Sequence, residues 1–109
     1  SESFHFSMQY PKQWYYQGTA GTASNVARHY EFGSKPLEEE PGTVSLDVMS
    51  GTIPSGTSLS SNGKDLTKVT GSGTVDIYVK GSGSRIYKIS GPSTQASTLI
   101  QMAGTLEDL

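Results

Sequence analysis

The residues able to do chemistry are few: two histidines, many scattered serines, one acidic run and one aromatic cluster. A hydrolytic site needs a nucleophile, an imidazole base and an orienting carboxylate brought together. His5 alternates with Phe4 and Phe6, and His29 opens a short strand-like run, so each reads as a solvated strand histidine. No Gly-x-Ser-x-Gly elbow occurs, and Ser82 has only the Gly-Ser-Gly of a hairpin turn. No catalytic residue is assigned. Glu38-Glu39-Glu40 are consecutive, so in an extended chain they point in alternating directions and read as a solvated charged loop. A calcium loop would instead alternate its ligands around a glycine. Two histidines on separate strands lack the further ligands that zinc requires. Gly71-x-Gly73 and Gly81-x-Gly83 neither open helices nor carry a P-loop lysine. The expectation is no metal and no cofactor.

The functional lead is Trp14-Tyr15-Tyr16. Adjacent strand residues face opposite sides, so Trp14 and Tyr16 share one face and Tyr15 takes the other. If Trp14 and Tyr16 fill the core, Tyr15 is exposed. Exposed aromatics are typical of glycan and protein recognition, whereas core aromatics are ordinary packing in a small domain. All three are kept as candidate binding residues.

Composition narrows the class. A chain of 109 residues has room for one domain spanning residues 1–109. It can fold on its own core. There is no cysteine, which removes disulfides and thiol chemistry. Eight basic residues face ten acidic ones and are scattered, without the basic patch of a nucleic-acid binder. No apolar run approaches the roughly 18 to 20 residues of a membrane-spanning helix. The chain starts at Ser1 without methionine, which reads as a mature or trimmed start whose leader or anchor has been removed. The bias toward Gly, Ser and Thr with few charges suggests an extracytoplasmic domain.

Pattern then places the elements. Phe4, Phe6, Met8 and Tyr10 alternate with polar residues as a half-buried strand that Pro11 ends. Gln13–Gln17 reads as a second strand, and 18–27 as a loop. His29–Phe32 follows as a third strand, then Pro36, the acidic run and the Pro41-Gly42 turn. Val44, Leu46 and Val48 give the cleanest alternation of all. Ser50–Ser61 reads as loop, and Asn62-Gly63 as a tight turn. Lys64–Thr70, Thr74–Lys80 and Arg85–Ser90 form a meander through the two Gly-Ser-Gly turns. Ala96, Leu99, Ile100 and Ala103 make a helical stripe, with Ser93 or Thr94 as cap and Gly104 as stop. Leu99 and Ile100 should pack on the sheet. The expected fold is α+β: an antiparallel sheet of about six to seven strands with a C-terminal helix on one face.

Tyr10-Pro11-Lys12-x-Trp14 after an aromatic strand resembles the opening of PsbP-like domains. Asn62-Gly63-Lys64-Asp65 into Lys68-Val69-Thr70 is similar to a later strand of that family. Arg85–Ile89 resembles its tyrosine-bearing strand, and Thr98–Leu106 its closing helix. The resemblance implies an antiparallel sheet packed by helices and a scaffold for binding. It also implies that Trp14 is a core residue, with Tyr10 and Pro11 shaping the turn into it. The family includes a photosystem II subunit, a nuclear-import factor that binds the Ran GTPase, and bacterial lipoproteins. The chain departs where a helix is usual, at Ser50–Ser61, and has no histidine or carboxylate cluster matching the photosystem member's ion association. No particular partner carries over.

The reading is a non-catalytic binding or accessory module of a bacterial envelope protein, monomeric, with an unidentified protein or glycan partner. One alternative is a structural subunit such as a pilin or surface-layer head domain. The second is a small hydrolase, which would need His5 or His29 to meet a nucleophile.

Overall fold

A computed structural model of the chain describes residues 6–7, 14–20, 26–33, 44–81 and 85–108. Tyr10, Pro11, His5, Glu38–Glu40 and Ser82 lie outside the described residues, and of Tyr16 only the backbone is described.

The strands are β1 (Phe6–Ser7), β2 (Tyr15–Ala20), β3 (Val26–Gly33), β4 (Val44–Ser50) and β5 (Thr57–Ser61). Then come β6 (Lys64–Thr70), β7 (Thr74–Lys80), β8 (Arg85–Pro92) and, after the helix, β9 (Glu107–Asp108). A 3₁₀ turn, η1 (Ser93–Gln95), leads into α1 (Ala96–Thr105). The main sheet runs β2-β3-β4-β8-β7-β6-β5, and each neighbouring pair is antiparallel. β1 and β9 pair separately. The molecule is α+β, an antiparallel sheet with a C-terminal helix.

Residues directly opposed across antiparallel strands share a face. Tyr30, Leu46, Ile89 and Ile77 form one such row, and Val48, Tyr87 and Val79 another; all are buried. α1 lies over this apolar face, contacting β5, β6, β7 and β8. On the helix Leu99, Met102 and Ala103, with Leu106 directly after it, are buried, while Ala96 and Ile100 are half-buried at its margin. The apolar stripe is therefore turned toward Met102 rather than centred on Ile100. A fully buried leucine contributes about 1.5–3 kcal/mol relative to an exposed one, so the helix is held by packing. Its start is not held by a cap: no side chain caps the N-terminus of η1 or of α1. Instead the Ser93 N–H donates to the Gly73 carbonyl at 3.0 Å, which pins the start of the helical segment to the β6–β7 turn.

Three expectations are corrected. The segment Ser50–Ser61 is not all loop: Thr57–Ser61 is the edge strand β5. Its only large apolar residue is Leu59, which packs against the core, while the strand is otherwise largely exposed. Gly104 does not stop α1; it lies inside the helix, where a Cβ would come within 2.5 Å of Ser61 Oγ. Glycine here permits close approach of helix and strand. The loop expected over 18–27 is shorter, because β2 extends to Ala20 and β3 begins at Val26. Asn62-Gly63 does form the β5–β6 turn, with φ of 54° and 80°.

Candidate functional site

The face opposite α1 carries the polar side chains. Among the described residues β2 pairs only with β3, and Tyr15 stands opposite Gly33. Tyr15 is 49% exposed and is the one exposed large hydrophobic residue among the described residues. Trp14, just before the strand, packs against the apolar core while staying partly accessible. The neighbouring aromatics thus take different roles, one as an anchor on the core and one as an exposed ring. Leu99 is fully buried and Ile100 partly so, which makes both structural residues of the helix–sheet contact.

Further along the same face a polar row crosses the sheet. His29 on β3 stands opposite Asp47 on β4, Asp47 opposite Lys88 on β8, and Lys88 opposite Tyr78 on β7. His29 Nδ1 lies 2.5 Å from Asp47 Oδ1, and its Nε2 lies 3.2 Å from Glu31 Oε2. Lys88 Nζ approaches Asp47 Oδ2 at 3.6 Å. The His29 side chain is 20% exposed. It is therefore an ion-paired, half-buried residue rather than a solvated one, and this corrects the sequence reading. Burial of the ring opposes its protonation. The hydrogen bond and charge of Asp47, then those of Glu31, outweigh that penalty and raise its pKa above 6.5. Tyr78 is also raised, first by burial and then by the charges of Asp76 and Asp47.

An Asp–His pair is two-thirds of a hydrolytic triad, and the third member decides the chemistry. In a triad the distal ring nitrogen faces a hydroxyl nucleophile. Here Nε2 faces the Glu31 carboxylate. The arrangement holds a proton between carboxylates. A cation site does not emerge either: among the described residues no group of three or more His, Cys, Asp or Glu is arranged to hold a metal. A shallow depression of about 460 Å³, lined by Ser45, Thr74, Asp76, Ser90 and Pro92 among others, lies on the same side of the sheet. It is an open dent, unlike the clefts that bury most of a ligand's surface. No described helix is long and apolar enough to cross a membrane.

The spacing of His29 and Asp47, 18 residues apart, conceals their meeting in the sequence. A signal was nonetheless available. Each alternates with buried neighbours (Tyr30 and Phe32 in one strand, Leu46 and Val48 in the other), so if those strands pair, the two polar residues share a face.

No protein-family model, curated protein or solved structure matches this chain. The PsbP-like resemblance therefore stands on its motif residues alone.

Proposed function

We propose that the chain is a non-catalytic binding or accessory module of a bacterial envelope protein, working outside the cytoplasm. The observation that carries this reading is Tyr15: an exposed aromatic on β2, next to a tryptophan that packs on the core. Exposing a large aromatic ring forgoes the stabilisation its burial would bring, and such rings are favoured contact residues at recognition surfaces. The position of Glu31 at Nε2 supports a non-catalytic role for His29, since it occupies the place of a nucleophile. The Gly/Ser/Thr-rich, charge-poor composition supports the location. The PsbP-like resemblance supports a scaffold that binds a protein or glycan.

The test is retention of partners from native envelope fractions by the wild type and by Tyr15→Ala. Loss of a specific partner with unchanged thermal stability supports the reading. Equal retention by both proteins removes Tyr15 from the site.

A further inference from the structure

A neutral imidazole has one N–H and one bare nitrogen, whereas imidazolium has two N–H groups. At His29 both nitrogens face carboxylates, Asp47 on the neighbouring strand and Glu31 on its own. Only the imidazolium can donate to both. We propose that His29 is a proton-operated clamp between β3 and β4, which steadies the β2–β3 end of the sheet and the Tyr15 it carries.

The charged groups facing the ring can be followed strand by strand. β3 supplies Glu31, and β4 supplies Asp47, which is 9% exposed overall. Beyond Asp47, β8 contributes Lys88, and β7 contributes Tyr78 with Asp76 beside it. On β2 the residue opposite His29 is Thr19, which does not titrate. With His29 charged, the quartet Glu31, His29, Asp47 and Lys88 is neutral. Removing the proton takes away the positive charge that lies between the Asp47 and Glu31 carboxylates.

The single remaining N–H serves Asp47 best, because that carboxylate is closer and more buried than Glu31. The Nε2 contact is then lost, and the cross-strand bond changes from an ion pair to a hydrogen bond with a neutral donor. Charge-assisted hydrogen bonds are about twice as strong as neutral ones. Among the described residues β2 has no strand on its outer side, so the weakening falls on that end of the sheet. β6 is remote from it. A domain outside the cytoplasm meets the pH of its surroundings, and the link from clamp to partner rests on the binding function proposed above. The clamp itself does not.

The experiment is NMR on the whole chain between about pH 5.5 and about pH 8.5, following the His29 ring and backbone amide protection together. The expected result is a His29 titration above the ordinary value of 6.5. Across that titration, protection in β2 and β3 should fall about fivefold while that in β6 holds. His29→Gln should abolish the selective fall. Should that variant not fold, Glu31→Gln serves instead, lowering the His29 titration and shrinking the fall. The proposal is overturned by titration at or below 6.5, by an equal fall in all strands, or by an undiminished fall in the variants. These readouts need no partner, so they decide the clamp whether or not Tyr15 proves to be a binding residue.

Discussion

Leu99 fills the space that Gly91 leaves: a Cβ on Gly91 would lie 3.3 Å from Leu99 Cδ1 and 3.1 Å from Val44 Cγ2. The helix sits as low on the sheet as it does because β8 carries no side chain at that point. Each of these residues therefore has a predictable mutant. Leu99→Ala should cost about 2–5 kcal/mol, the range for buried leucine truncations. Gly91→Ala overfills the same place and should cost about 1–3 kcal/mol. Urea denaturation measures both, and a loss below about 0.5 kcal/mol for Leu99→Ala would show the helix to be peripheral.

Trp14 is the only tryptophan, so intrinsic fluorescence reports on it alone. It packs on the core but remains partly accessible. Emission should be blue-shifted relative to free tryptophan, with iodide quenching well below that of the unfolded chain. Trp14→Ala should cost about 2 kcal/mol, less than the about 3–5 kcal/mol of a fully buried ring. Fully red-shifted, freely quenched emission would contradict this packing.

Asn62 combines two roles. Its φ of 54° suits asparagine better than most residues, and its Nδ2 donates to the Gly104 carbonyl at 3.1 Å. Asn62→Ala strains the turn and removes a link between the β5–β6 hairpin and the end of α1. The expected loss is about 1–2 kcal/mol. Asn62→Gly should recover the turn component only, so its melting temperature should fall between the two.

The raised pKa of His29 has a global consequence whose sign is fixed by linkage. The folded state binds the His29 proton more tightly than the unfolded state does. Its contribution to stability is complete below the ordinary value of 6.5 and is lost as pH rises through the higher folded value. Stability of the wild type should therefore decline as pH rises above 6.5 by more than that of His29→Gln. Parallel urea midpoints for the two proteins across that window would show that His29 has no net linkage.

Much of the fold was legible because it rests on local pattern. Val44, Leu46 and Val48 alternate, and all three are buried in β4. Asn62-Gly63 is a tight turn because those two residues readily take positive φ. β5 escaped notice because Thr57–Ser61 contains a single large apolar residue, and its strand character comes from the ladder with β6. The Ser93 and Thr94 capping signal misled, since the chain there is held by a backbone bond to Gly73, twenty residues upstream in sequence terms and adjacent only in the fold.

By itself, the sequence determined that the chain forms antiparallel strands and one C-terminal amphipathic helix, because side-chain period and turn chemistry are properties of neighbouring residues. Strand alternation led to the expectation that Trp14 and Tyr15 part, and the structure packs Trp14 on the core and leaves Tyr15 exposed. Tertiary structure decided which strands are neighbours, and therefore that His29 meets Asp47 and that Asp47 meets Lys88. It also decided that Gly104 lies against Ser61 and Gly91 against Leu99. These relationships depend on strand order and on how close the helix approaches the sheet. Both are set by the sum of packing over the whole core, which no local stretch of residues contains.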